Sequence, residues 1–129
     1  AASDVYKRQQ ELVASTKIRE IQLMLEEAMR GKVHDWRWEK SNGRNVRTLK
    51  GAMGLLDQIM DKQNLEAEDI VKHLHILLTE GRMNVGEKLL SEIMISLAKC
   101  EVSVFKTSQP RVVLERFLLD VAEISQLAN

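Results

Sequence analysis

A chain of 129 residues can bury a core of its own as one domain, and its formal net charge of zero gives no overall field toward nucleic acid or an anionic membrane. One proline and six glycines, with 44% hydrophobic residues, favour long helices over many short strands. The single cysteine, Cys100, excludes an internal disulfide and a cysteine-based zinc site and fits a reducing, intracellular and cytoplasmic setting, and no apolar run reaches the ~18–20 residues of a membrane span, so no membrane partner is expected.

The chain opens on a stretch that need not belong to the fold. Asp4-Val5-Tyr6-Lys7-Arg8-Gln9 reads as the in-frame translation of a transposon adapter used to prepare sequencing libraries, with a native helix start as the alternative. On the adapter reading, residues 1–9 are a scar, and residues 10–129 are a helical domain forming the C-terminal part of a longer protein.

The apolar spacing predicts a first helix over about Glu11–Met29, with Ile18, Ile21, Leu25 and Ala28 as its stripe and Gly31 as its cap. A connector runs from Lys32 to Gly43, holding Trp36, Trp38 and the turn-like Ser41-Asn42-Gly43. A second helix is predicted over about Asn45–Lys62, striped by Val46, Leu49, Met53, Leu56 and Met60, with Gly51 and Gly54 inside it as points of close helix packing and Asn64 ending it.

The third helix covers about Ala67–Glu80, with Glu66, Glu68 and Asp69 at its start complementing the helix dipole and Ile70, Leu74, Leu77 and Leu78 facing the core. The fourth is expected to start in a capping box, Asn84-Val85-Gly86-Glu87, and to bury Leu89, Ile93, Leu97, Cys100 and Val104. Its end is weakened by Val102, Val104 and Phe105. The fifth comes after Thr107-Ser108-Gln109-Pro110, where Ser108 can cap and proline suits the first turn, and it turns Leu114, Phe117, Leu118, Val121 and Ile124 inward. The expected fold class is all-α, a five-helix bundle.

Reactive chemistry is scarce. No glycine-rich phosphate loop occurs, so no nucleotide or other cofactor is expected in this fragment, nor is it expected to be an enzyme. His73 and His75 stand two apart on a helix and cannot share a metal there. Asp57 and Asp61, one turn apart, form an acid–base pair only if buried together, and an amphipathic helix should leave both solvated. Cys100 lies in an apolar stripe as a small hydrophobe.

The one strong local charge bias is Arg30 to Lys50, where Arg30, Lys32, Arg37, Lys40, Arg44, Arg47 and Lys50 face only Asp35 and Glu39, a local +5. Trp36 and Trp38 share a face if this segment is extended. Arg37, Lys40, Arg44, Arg47, Trp36 and Trp38 are therefore candidate nucleic-acid contacts, cations for phosphates and indoles for bases. The alternative is that the tryptophans anchor the connector while the cations stay hydrated. The nucleic-acid reading requires Arg37, Arg44 and Arg47 to share a face.

The order of segments also carries a resemblance. Lys17-Ile18-Arg19-Glu20-Ile21 and Ala28-Met29-Arg30-Gly31 read like I-R-E-M-M followed by A-L-x-G. Leu65-Glu66-Ala67-Glu68-Asp69-Ile70 reads like G-L-S-x-E-D-V, and Leu97-Ala98-Lys99-Cys100-Glu101-Val102 like L-A-x-x-I-x-E. Val113-Leu114-Glu115-Arg116-Phe117-Leu118-Leu119 is similar to Q-L-E-A-L-L, and Ser108-Gln109-Pro110-Arg111-Val112-Val113-Leu114-Glu115 to the N-P-R-L-x-L-E signature of the bacterial clamp-loader ATPase subunit.

In this order, over roughly Ser15 to Leu127, the motifs resemble the C-terminal collar domain of clamp-loader small subunits, above all the archaeal type of replication factor C small subunit in the AAA+ family. Two features depart from that pattern. Val33 to Arg44 is longer than the family's tight link between its first two collar helices, and Thr107-Ser108-Gln109-Pro110 replaces its Gly-x-Asn-Glu.

The resemblance implies a five-helix bundle of collar type, an oligomerisation scaffold for DNA replication whose ATPase modules lie outside this fragment. Its partners would be other clamp-loader subunits and, through the parent complex, the sliding clamp and primed DNA. Leu90, Met94, Ile95, Val112 and Val113, off the main stripes, are candidate subunit-interface residues or the flanks of a wide core face.

Overall fold

The computed structural model describes residues 18–128. Helix α1 covers residues 18–29 of this range, while the predicted start at Glu11 and the adapter reading of residues 1–9 lie outside the described residues. Ile21, Met24, Leu25 and Ala28 are fully buried along it. Two bonds close it, Gly31 N–H to the Ala28 carbonyl at 3.0 Å and Lys32 N–H to the Glu27 carbonyl at 2.9 Å, the paired geometry of a Schellman cap.

The segment after α1 overturns the all-α expectation. Residues read as a connector and the first two turns of a helix form an antiparallel hairpin, β1 (Asp35–Ser41) and β2 (Arg44–Lys50), in register from Asp35↔Lys50 to Ser41↔Arg44. The described residues thus contain five helices and a two-stranded sheet, a mixed α/β arrangement and not an all-α five-helix bundle of collar type. The cause is local. Asn42 and Gly43 both take positive φ, 53° and 78°, the two-residue type I′ turn whose twist matches paired strands. Trp, Val and Thr alternating with charged residues suit the strands on either side.

Helix α2 (Gly51–Asp57) begins where the second strand ends, six residues later than predicted, and runs on as a π-helical turn over Gln58–Lys62. Its N–H groups at Ala52 and Met53 donate to the Lys32 and Val33 carbonyls at 2.9 and 3.0 Å, so the hairpin base satisfies the free start of the helix. Asn64, at φ 54°, turns the chain out of the π segment.

The remaining helices follow the apolar pattern closely: α3 (Ala67–Thr79), α4 (Glu87–Val104) and α5 (Pro110–Ala128). The capping box does not form. Helix α4 starts at Glu87 with Gly86 as N-cap and no side-chain bond there. Before α5, the Thr107 hydroxyl accepts from Gln109 N–H at 3.0 Å, where Ser108 was the expected cap. Helix α4 packs against both α3 and α5, and all five helices contribute to one buried cluster that includes Leu56, Ile70, Leu74, Ile93, Leu114 and Phe117. Among the described residues no helix is long and apolar enough to cross a membrane.

Candidate functional site

Two surfaces stand out, and each is built by a simple periodicity. On the hairpin, residues opposite one another share a face, so Trp36, Trp38 and Lys40 of β1 lie with Leu49, Arg47 and Asn45 of β2. The other face holds Asp35, Arg37, Glu39, Arg44 and Lys50. Arg37 and Arg44 therefore lie on the opposite face from Arg47, so the requirement that the three arginines share a face fails, and the nucleic-acid reading built on all six candidate residues is overturned. The set divides into Trp36, Trp38, Lys40 and Arg47 on one face, and Arg37 and Arg44 on the other.

Register also sorts the charges. Asp35 binds Arg37 at 2.9 Å and raises its pKa further, while Glu39 binds Lys50 at 3.0 Å, both pairs on the second face. The Arg47 guanidinium carbon lies 5.1 Å from the Trp36 ring centre, within cation–π range. The indoles do not serve as core anchors, since Trp36 is 49% and Trp38 71% exposed. An open cleft of about 520 Å³ between β2 and α2 is bordered by Arg47, Leu49 and Lys50 on one wall and Asp57, Asp61 and Lys62 on the other.

The second surface is on the helices. Leu90, Met94 and Val113 are partly buried and pack against the core, so three of the five interface candidates widen the inner face. Ile95 and Val112 are exposed. Ile95 does not stand alone, because Ala98, Val102 and Phe105 are also exposed and continue it at intervals of three, four and three residues. That spacing makes one stripe on the side of α4 turned away from Ile93, Leu97, Cys100 and Val104. On α5, Val112 and Leu119, seven apart and both exposed, mark its outer side. The sequence reading missed Val102, Phe105 and Leu119; the signal was their phase, opposite the buried stripe.

The reactive candidates resolve into structure. Asp57 and Asp61 both face Arg111 of α5, whose Nη2 meets Asp57 and whose Nη1 lies 3.6 Å from Asp61, so the carboxylates tie the end of α2 and the π segment to α5. His73 Nδ1 donates to the Asp69 carbonyl at 2.6 Å, while His34 and His75 are exposed. Among the described residues no group of three or more His, Cys, Asp or Glu side chains is placed to hold a metal ion.

Cys100 is buried, and burial, with a smaller push from Asp120, raises its thiol pKa to about 11. At pH 8 its alkylation by iodoacetamide should be at least about a hundredfold slower in the folded protein than in urea, because so little thiolate forms. The folded pKa lies above the unfolded value of about 8.5, so this contribution to stability is complete below that value and is lost as the pH rises toward 11. Equal labelling rates in the two states would show an accessible thiol.

No protein-family model, curated protein or solved structure matches this chain.

Proposed function

We propose that this chain is an assembly module, which associates through the outer faces of α4 and α5 and serves as the oligomerisation scaffold of a DNA sliding-clamp loader subunit inside the cell. The observation that carries the assembly reading is the stripe Ile95, Ala98, Val102 and Phe105. A helix already supplying a full inner stripe to the core has no folding reason to carry a second one, and water-facing apolar side chains at helical spacing gain free energy only when covered. The clamp-loader assignment rests on the order of the sequence motifs along α1, α3, α4 and α5, and the hairpin between α1 and α2 departs from an all-helical collar. Lys88, Lys99, Glu101 and Lys106, all exposed on or beside α4, give the stripe the charged surroundings of a reversible interface.

The test is sedimentation of the full chain across the micromolar to submillimolar range. Wild type should associate, and Ile95→Asp with Val102→Asp should hold it monomeric with helical circular dichroism unchanged. A wild-type monomer throughout that range overturns self-assembly through this face. In the source DNA, the sequence upstream of Gln10 should encode an AAA+ ATPase module, and an unrelated reading frame there would remove the clamp-loader assignment.

A further inference from the structure

The three-arginine site is overturned, and in its place we infer that a smaller set on the tryptophan face of the hairpin, Trp36, Trp38, Lys40 and Arg47, binds single-stranded nucleic acid, independently of the assembly surface on α4 and α5. Three observations converge on that ligand. The first is charge sorting. Both carboxylates of the hairpin strands, Asp35 and Glu39, lie on the opposite face and are tied there to Arg37 and Lys50. The tryptophan face keeps Lys40 and Arg47 and carries no acid of its own, and the nearest acids, Asp57 and Asp61 across the adjoining cleft, are paired with Arg111, so the face offers a polyanion local attraction within a chain that is neutral as a whole.

The second is the indole spacing. Trp36 and Trp38 project from the same side of one strand, about 6.8 Å apart along it, a separation suited to consecutive bases of an extended, unstacked strand and not to bases stacked in a duplex. Both indoles reach solvent, Trp38 more fully than Trp36, which has Arg47 over one side of its ring, and unpaired nucleotides offer base faces in return; a duplex presents only base edges in its grooves, which indoles read poorly.

The third is preorganisation. Arg47, poised over Trp36, presents a planar guanidinium beside the stacking surface, and Asn45 supplies a side-chain amide at the far end of the same face. The hairpin base is fixed by the Ala52 and Met53 backbone bonds, so the ribbon meets a ligand as a mounted platform.

The chain has two tryptophans and both lie on this face, so intrinsic indole emission of the full-length protein reports the site directly. Titration with oligothymidylate at low salt should quench that emission saturably. The affinity should fall with salt at a log–log slope of about −1.4, the value for two phosphate contacts on a single strand. Trp38→Ala should weaken binding of a labelled oligonucleotide between about 5-fold and about 150-fold, the range for one lost base stack. Lys40→Glu should weaken it and flatten the salt slope, and Arg37→Ala, on the opposite face, should leave affinity within about twofold.

Oligouridylate in a parallel titration separates RNA from DNA as the preferred strand. Absence of quenching at low salt, equal affinity for a duplex of the same length, or binding indifferent to Lys40→Glu in a protein of unchanged circular dichroism each overturns the inference. So does a Trp38→Ala protein that loses self-association while binding the oligonucleotide normally, since the hairpin would then be a contact between copies.

Discussion

Replacing Gly51 by alanine should destabilise the protein by about 2–5 kcal/mol in urea unfolding, while the same change at Gly43 should cost only about 1 kcal/mol. Both glycines have positive φ, 80° and 78°, so both pay the left-handed penalty of an L residue. They differ in what a new Cβ would meet. At Gly43 there is open space within 4 Å. At Gly51 it would lie 2.5 Å from the Lys32 carbonyl oxygen, far inside normal contact, and a tight 3.1 Å from that of Val33. Those carbonyls accept the Ala52 and Met53 N–H bonds, so the overlap cannot be relieved without opening the joint between hairpin and helix. The variant should show a lower urea midpoint together with altered tryptophan emission, because both indoles ride on the loosened hairpin. Equal costs at the two glycines would mean that this joint yields freely.

The contrast also explains which parts of the fold were legible. Helix α3 was predicted to within one residue at its end, because Ile70, Leu74, Leu77 and Leu78 form one unbroken face and acidic residues mark the start. The hairpin was missed because Val46, Leu49 and Met53 happen to fall at helical spacing. In the structure Val46 is 44% exposed and lies on the opposite face of β2 from Leu49, as an odd spacing must in a strand. Asn42-Gly43 was the stronger local signal, and Gly51, read as a packing glycine inside a helix, was the boundary between strand and helix.

Of the candidate sites, the tryptophan pair was legible through alternation alone. The pairing of Asp35 with Arg37 and Glu39 with Lys50 was not, since which charges share a face depends on strand register. On α4, the β-branched and aromatic residues near the C-terminus are weak helix formers by propensity. Their exposure gives them another meaning, because Val102 and Phe105 continue an outer stripe that Ile95 begins.

The chain's two phenylalanines test whether folding and assembly are divided between the two sides of the helical layer. Phe117 is 1% exposed in the centre of α5, among Leu114, Leu118 and the inner residues of α4, and Phe117→Ala should cost about 3–5 kcal/mol through lost burial and the cavity left behind. Against a typical domain stability of about 5–15 kcal/mol, that loss should lower Tm by about 10–20 °C by calorimetry. Phe105 is 61% exposed at the end of α4, so Phe105→Ala should change Tm by no more than about 3 °C, as for a surface side chain. If the outer stripe is the contact surface, the two variants exchange rank in sedimentation. Phe105→Ala should weaken association, since truncating an aromatic anchor at an interface commonly costs about 2 kcal/mol, roughly thirtyfold in affinity. Phe117→Ala, below its own unfolding temperature, should associate as wild type does. A Phe105→Ala protein as unstable as Phe117→Ala would place that ring inside the core and remove one end of the proposed surface. A stable one that associates unchanged would remove the ring from the contact while leaving the fold as described.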